Sequence, residues 1–122
     1  MEFKKCRSLL TVLAAIVLFF PSLASAQVIV FMDGNKLFQD MLEYEKFERG
    51  DPSPDLIKTA SYVGYVEGVY DAMVDSFNAP RNVTLSQICS IVAKYLKDNP
   101  EKRSVSAADL IADALQKAFP KR

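Results

Sequence analysis

The stretch Ala60–Met73 (ASYVGYVEGVYDAM) decides how the fold of this sequence is interpreted. Small residues recur in it at every fourth position, and on an α-helix this spacing places them in one stripe. A glycine inside a helix costs about 0.5–1 kcal/mol relative to alanine, so two of them in register predict that another backbone passes close by. We call these residues the small-residue stripe: Ala60, Gly64, Gly68 and Ala72.

The backbone that passes the small-residue stripe belongs either to the same chain or to a second subunit. We favour the same chain, because a small helical domain must cover its central helix. On that interpretation Gly64→Leu should destabilise the fold by about 1–3 kcal/mol through overpacking. Apolar residues on more than one side of this helix also predict that it is buried among its neighbours.

A second four-residue repeat places three carboxylates beside the small-residue stripe, and we call it the acidic stripe: Glu67, Asp71 and Asp75. Like charges at this spacing oppose helix formation by about 0.2–0.5 kcal/mol per pair. Calcium sites usually add loop carbonyls and turn glycines, which are missing here. A solvated acidic face is the favoured interpretation. A docking face for a basic partner comes next, and paired carboxylates for hydrolysis come last.

The chain begins with a segment that is typical of a secretory signal peptide. Basic residues precede the apolar run Leu9–Phe20, and Ala24–Ala26 supplies an A-x-A cleavage sequence. The run is too short for a permanent membrane helix, which takes about 20 apolar residues. We therefore expect residues 1–26 to be removed, with cleavage after Ala26. Residues 27–122 then form one exported domain without a membrane attachment.

The composition excludes several classes of function. Removing the signal peptide takes away three basic residues and one acidic residue, which leaves 12 against 14 and a net charge of −2. No basic patch indicates a nucleic-acid partner. The chain has no histidine, so neither a Ser-His-Asp nor a Cys-His catalytic arrangement can form. Gly64 and Gly68 lie in mid-helix and do not form a phosphate-binding loop, and no cofactor is expected.

The cysteines indicate neither a disulfide nor a metal site. Cys6 leaves with the signal peptide, so the mature chain keeps only Cys89. A single cysteine cannot form an internal disulfide, and without histidine it does not make a zinc site. Cys89 lies among Ile88, Ile91 and Val92 and is expected to be a small buried residue.

The apolar periodicity predicts an all-α fold, a small compact four-helix domain that follows the signal peptide. The apolar lead-in Gln27–Met32 is expected to pack on the helices. Caps are expected at Ser53, Thr84 and Ser106, with a capping box at the last two, and Gly50 is expected to end the first helix. The predicted helices are 36–49, 54–77, 85–98 and 107–119.

Five sequence blocks occur in order along the mature chain and resemble the Rap1a/Tai family of immunity proteins. The blocks are GNKL (34–37), GYVEGV (64–69), VTLSQ (83–87), KYLKDNPE (94–101) and ALQKAFP (114–120). The resemblance implies a small all-α periplasmic protein of a Gram-negative bacterium. It implies a stoichiometric inhibitor, often a homodimer, of a peptidoglycan amidase toxin that sibling cells deliver by type VI secretion. Such a protein is not an enzyme.

The sequence departs from this family at two positions. Many members carry cysteines that can pair in the first helix and just before the Gly-Tyr block. The aligned residues here are Met41 and Tyr62. The resemblance therefore implies that this chain lacks the disulfide and depends on packing alone for its stability.

The resemblance does not assign the toxin contacts, so the candidates are chosen on physical grounds. Exposed loops on a rigid scaffold often carry binding residues, and the segment Asn99–Ser104 is charged, short and capped at both ends. The acidic stripe (Glu67, Asp71 and Asp75) is the second candidate. The first set of partner-binding candidates is Asn99, Glu101, Lys102 and Arg103.

Two other functions are weighed against the immunity protein. One is a small periplasmic chaperone or stress-related binding protein. Acid-activated chaperones of this size usually keep a disulfide, so the single mature cysteine argues against it. The other is an enzyme that uses the acidic stripe, but we expect the protein to show no catalytic turnover.

Overall fold

The structure, a computed structural model, describes residues 29–121. The predicted signal peptide lies outside these residues. The all-α expectation is confirmed, because residues 29–121 contain helices and no strand. Among the same residues no helix is long and apolar enough to cross a membrane. The helices are α1 (Gly34–Arg49), α2 (Leu56–Met73), α3 (Leu85–Asp98) and α4 (Ala107–Ala118), with 3₁₀ turns at Val74–Ser76 and Pro100–Lys102.

Local capping sets several helix ends as the sequence predicts. Thr84 and Gln87 form the capping box in both directions at the start of α3. Gly50 ends α1 in the left-handed region, with φ 72°. Asp33 caps α1 by accepting a 2.8 Å hydrogen bond from the Lys36 amide, so this helix begins two residues earlier than predicted.

The predicted start of α2 is wrong. Ser53 has a φ of 58°, which is a loop conformation, and the chain enters the helix only at Leu56. Asp55 is the cap, because its carboxylate accepts hydrogen bonds from the amides of Ile57 and Lys58 at 3.0 and 3.1 Å. The helix also ends earlier than predicted, at Met73.

The predicted capping box of α4 is also wrong. Ser106 precedes the helix, but its side chain makes no capping hydrogen bond. The amide of Ala107 instead donates to the carbonyl of Met32 at 3.0 Å, and Asp33 pairs with Ser106 in an isolated antiparallel bridge. The first turn of α4 is thus tied to the chain that leads into α1. The lead-in Gln27–Met32 was expected to pack on the helices; Met32 does pack on the core, Ile29–Phe31 lie exposed, and residues 27 and 28 lie outside the described residues.

The hydrophobic core lies between α1, α3, α4 and one face of α2. From α2 only Thr59, Tyr62 and Val66 are buried, so the expectation that this helix is buried on several sides is wrong. The other three helices all pack on the face that carries these residues. They supply most of the core, which includes Leu37, Met41, Ile88, Val92, Leu96, Leu110, Ile111 and Leu115.

Met41 and Tyr62, which align with the cysteines of the family, are both fully buried. The Tyr62 hydroxyl donates a 2.7 Å hydrogen bond to the carbonyl of Cys89, and the Tyr62 ring stacks on Tyr44 with centroids 5.1 Å apart. Tyr62 therefore connects α2 to both α1 and α3. Packing and this buried hydrogen bond hold the three helices together.

The small-residue stripe faces solvent, so the prediction that another helix of this chain covers it is wrong. A side chain at Gly64 or Gly68 would meet no heavy atom within 4 Å. The close backbone approach occurs at Gly34 instead. A Cβ there would lie 2.8 Å from both the Cα and the carbonyl oxygen of Arg103, and would also collide with Leu110.

Alanine substitutions at Gly34 and Gly68 should therefore have opposite effects. Gly34→Ala is expected to lower the free energy of unfolding by about 1–3 kcal/mol, because the backbone of Arg103 must move. Gly68→Ala is expected to raise it by about 0.5–1 kcal/mol, since alanine favours the helix and meets nothing. Urea denaturation of the two variants provides the measurement. A destabilised Gly68→Ala or a neutral Gly34→Ala would contradict the structure.

Cys89 is only 1% exposed, which confirms that it is buried, and burial raises the pKa of its thiol to about 11. We expect the native protein not to react with a thiol reagent at pH 8, and the urea-unfolded protein to react fully. A cysteine in an unfolded chain has a pKa of about 8.5, so ionisation should favour unfolding as the pH rises above that value. Rapid labelling of the native protein would contradict this placement.

Candidate functional site

The segment Asn99–Ser104, which we call the α3–α4 loop, is exposed but ordered by local hydrogen bonds. The Asn99 side chain and backbone amide both donate to the carbonyl of Tyr95, at 2.8 and 3.1 Å, and so cap the end of α3. Pro100–Lys102 then form a 3₁₀ turn. The loop therefore begins from a fixed helix end and keeps a defined backbone.

Arg103 anchors the α3–α4 loop to the rest of the domain. Its guanidinium carbon lies 3.5 Å from the centre of the Phe38 ring on α1, a cation–π contact. Its Nε donates a 2.8 Å hydrogen bond to the carbonyl of Leu96 on α3. With the backbone of Arg103 also against Gly34, three contacts fix this residue. The side chain of Arg103 is therefore engaged within the domain and is less available for a contact with a partner.

Lys102 and Glu101 are the charged side chains that the loop presents to solvent. The ammonium of Lys102 donates to the Tyr95 hydroxyl at 3.1 Å, and this bond raises the pKa of the lysine. The Tyr95 hydroxyl in turn donates to Asp113 on α4 at 3.3 Å. Glu101 is exposed and joins no salt bridge within residues 29–121. The loop therefore offers one free carboxylate beside one positioned ammonium.

The acidic stripe lies exposed on the outer side of α2 and in the turn that follows. Asp75 belongs to the 3₁₀ turn after α2, so only Glu67 and Asp71 share the helix. None of the three carboxylates joins a salt bridge within residues 29–121. In the described part of the chain no group of acidic, cysteine or histidine residues could hold a metal ion. Within residues 29–121 no hydrogen bond joins the acidic stripe to the α3–α4 loop.

Two open grooves flank α3, with cavity volumes of about 420 and 390 Å³. Ser90 lines both grooves, and its hydroxyl donates a 2.8 Å hydrogen bond to the carbonyl of Ser86 and not to a carboxylate. The first groove is lined by the α2–α3 connection, α3 and Phe119, and the second by the ends of α1 and α3, including Tyr44 and Glu48. The grooves therefore offer contact surface without an arrangement for acid–base chemistry.

Sequence reasoning missed the residues that support the α3–α4 loop. The apolar periodicity of the sequence accounts for Phe38 and Tyr95 as positions that face the core, but it predicts neither the contact of Phe38 with Arg103 nor that of Tyr95 with Lys102. An aromatic residue one turn after a glycine at the start of a helix was the available indication, but it does not reveal that Arg103 is the partner.

Arg103 and Lys102 form a matched pair for testing the anchor. Arg103→Ala is expected to lower the free energy of unfolding by about 1–2 kcal/mol, because a cation–π contact and a charged hydrogen bond are lost. Lys102→Ala removes a 3.1 Å hydrogen bond to the Tyr95 hydroxyl and a longer cation–π contact, 5.4 Å from the same ring, but both involve an exposed ammonium, so it should change the free energy of unfolding by less than about 0.5 kcal/mol. Urea denaturation of both variants is the measurement. If the two variants lost the same free energy of unfolding, Arg103 would not be an anchor of the α3–α4 loop.

One comparison with known proteins identifies the family. The model of the Rap1a immunity proteins matches residues 33–120, which include all four helices, the α3–α4 loop and the acidic stripe. A search of curated proteins finds no match. Because the family model covers most of the chain, this protein belongs to the Rap1a immunity protein family.

Proposed function

We propose that this protein is a periplasmic immunity protein that binds and inhibits a peptidoglycan amidase delivered by type VI secretion. The observation that carries the proposal is the family match over residues 33–120. Proteins of this family are inhibitors that bind toxin effectors, not enzymes. We infer the amidase target, and the homodimer that is common in the family, from the resemblance of the sequence blocks of this chain to those of the family.

Export to the periplasm follows from the proposed target, because peptidoglycan and the enzymes that cleave it are found there. The basic start, the apolar run Leu9–Phe20 and the A-x-A sequence ending at Ala26 support removal of a signal peptide. The inhibitor and its target would then meet in the same compartment. The mature inhibitor would begin at Gln27.

The α3–α4 loop is our first choice for the surface that blocks the toxin. A binding element that is already ordered loses little conformational entropy when it docks, which favours affinity. Asn99 and Arg103 hold this loop, and Glu101 and Lys102 project from it. We propose that the loop occludes the catalytic groove of the amidase, with Glu101 and Lys102 as direct contacts and Asn99 and Arg103 as positioning residues.

The acidic stripe ranks second as a toxin-binding surface. Its carboxylates are exposed and suit a basic partner, but no hydrogen bond or salt bridge within residues 29–121 fixes their side chains. Ordering three free carboxylates on binding costs side-chain entropy, whereas the α3–α4 loop presents one free carboxylate, Glu101, beside an ammonium that Tyr95 already orients.

The proposal is tested with the exported form purified from the periplasm, whose mass should correspond to a chain that begins at Gln27. We expect it to bind and inhibit a peptidoglycan amidase encoded beside its gene. Glu101→Lys should weaken that binding at least about tenfold, or about 1.4 kcal/mol, as measured by calorimetry. Glu48→Lys is the matched control. It makes the same charge change, but at the end of α1 that lies away from the α3–α4 loop, so this variant should bind normally.

Two results would contradict different parts of the proposal. If the mature protein neither bound nor inhibited the amidase, and its deletion left cells resistant to sibling attack, the immunity function would fall. If Glu101→Lys bound as well as Glu48→Lys while the parent inhibited normally, only the assignment of the α3–α4 loop would fall.

A further inference from the structure

The side chain of Tyr95 on α3 connects α4 to the α3–α4 loop. Its hydroxyl lies 3.3 Å from a carboxylate oxygen of Asp113 on α4 and 3.1 Å from the ammonium nitrogen of Lys102 in the loop. The same ammonium lies 5.4 Å from the centre of the Tyr95 ring. We call Asp113, Tyr95 and Lys102 the Tyr95 bridge. Its members come from α4, α3 and the loop, so side chains alone join these three parts of the chain.

The direction of both hydrogen bonds in the Tyr95 bridge follows from the chemistry of its members. An ammonium has three donors and no acceptor, so Lys102 can only donate to the Tyr95 hydroxyl. A carboxylate can only accept, so Tyr95 donates its single hydroxyl hydrogen to Asp113. With that hydrogen held by Asp113, a lone pair of the hydroxyl oxygen faces Lys102. Hydrogen bonds that follow one another in this way strengthen each other.

Asp113 therefore acts on Lys102 through the hydroxyl. The two residues form no salt bridge with each other within residues 29–121. A direct salt bridge would use Lys102 internally, whereas the hydroxyl between them orients the ammonium and leaves its charge without an ionic partner.

The Tyr95 hydroxyl is itself held in a fixed place. Tyr95 is only 8% exposed and belongs to the core, and its carbonyl accepts the hydrogen bonds from Asn99 that cap α3. One residue thus holds the start of the α3–α4 loop through its backbone and Lys102 through its side chain. A lysine side chain has a large rotamer entropy, and a bond to a fixed hydroxyl lowers it before any partner arrives.

Lys102 keeps two of its three N–H donors for a partner. Its side chain is exposed and joins no salt bridge within the described residues 29–121. The hydrogen bond to Tyr95, with smaller contributions from the charges of Asp113 and Glu101, raises the pKa of the ammonium and so favours its charged form. An oriented positive group with free donors is complementary to a carboxylate on a partner surface.

We propose that Asp113 and Tyr95 are positioning residues of the toxin-binding surface, which hold Lys102 in the orientation that pairs with a carboxylate of the toxin. This inference rests on the proposed function and on the assignment of the α3–α4 loop. It adds two residues outside the loop to those that determine affinity. Holding one long side chain in place before binding should contribute about 2- to 10-fold to the affinity.

The test is a double-mutant cycle on the exported protein, with binding to the amidase measured by calorimetry. Tyr95→Phe removes the hydroxyl but leaves the ring and the carbonyl that Asn99 uses, and it should raise the dissociation constant about 2- to 10-fold. Lys102→Met keeps a long stem without a charge. In a chain that carries Lys102→Met, the change at Tyr95 should have no effect, because no ammonium is left to hold. Asp113→Ala should behave as Tyr95→Phe does in both chains.

Two further variants identify the toxin group and control for the loss of a hydroxyl. Lys102→Glu should weaken binding more than Lys102→Met does, because it places two carboxylates opposite each other. Tyr70→Phe is the matched control. The Tyr70 ring packs on Phe77, and its hydroxyl makes no hydrogen bond in the part of the chain that the structure describes, so this variant should bind as the parent does.

A measurement on the free protein separates a failure of this inference from a failure of the proposed function. The pKa of the Lys102 ammonium, followed by NMR of its ζ-nitrogen, should fall in Tyr95→Phe and stay unchanged in Tyr70→Phe. An unchanged pKa in Tyr95→Phe would overturn the Tyr95 bridge whether or not the toxin binds.

Three binding results would also overturn the inference while the parent still inhibits the amidase. They are an equal loss of affinity from Tyr95→Phe with and without the lysine, an Asp113→Ala variant that binds as the parent does, and a Lys102→Glu variant that binds as well as Lys102→Met. If the parent neither bound nor inhibited the amidase, the proposed function would fall, and the positioning role of Asp113 and Tyr95 would fall with it.

Discussion

The contact of Gly34 with the backbone of Arg103 is the constraint on which the rest of the structure depends. Because position 34 has no Cβ, the start of α1 lies directly against the α3–α4 loop. Neighbouring hydrogen bonds add to this contact, since the Gly34 amide donates to Val105 at 2.9 Å and the Ala107 amide donates to Met32 at 3.0 Å. The beginnings of α1 and α4 and the loop between α3 and α4 thus meet at one point.

This junction orders the α3–α4 loop through side-chain and backbone contacts. At the junction Arg103 links α1 to α3 through Phe38 and Leu96. Away from it, the Tyr62 hydroxyl links α2 to α3. A domain of fewer than 100 residues has a modest core, so such specific contacts decide whether its exposed loops are fixed. For the function that we propose, this order favours affinity, because a loop that folds only on binding loses conformational entropy as it docks.

The features that the sequence predicted correctly depend on atoms close together along the chain. The capping box of Thr84 and Gln87 and the left-handed Gly50 each involve one helical turn, so local chemistry determines them. Local chemistry could not predict which side of α2 packs against the other helices. The regular spacing of Gly64 and Gly68 shows that one face of α2 carries small residues. It does not show whether that face contacts another helix of the chain or the solvent.

The order of the α3–α4 loop was predictable from the sequence, but the contacts of its residues were not. Charge and flanking caps indicated the α3–α4 loop, whereas the inward placement of Arg103 depends on Gly34 and Phe38, more than 60 residues earlier. Contacts across such a separation leave no periodic pattern in a single sequence. The buried Asp40 is a similar case, since its partner Ser61, 2.8 Å away, lies on a different helix.

The first turn of α4 connects the α3–α4 loop to the outer face of α2. Val105 and Ser106 continue the chain from the loop, and Ala108 lines an apolar groove together with Gly64 and Gly68. The bond from Ala107 to Met32 joins the same turn to the chain that leads into α1. A change at the start of α4 therefore acts on the loop and on the outer face of α2 together, because one helical turn supports both.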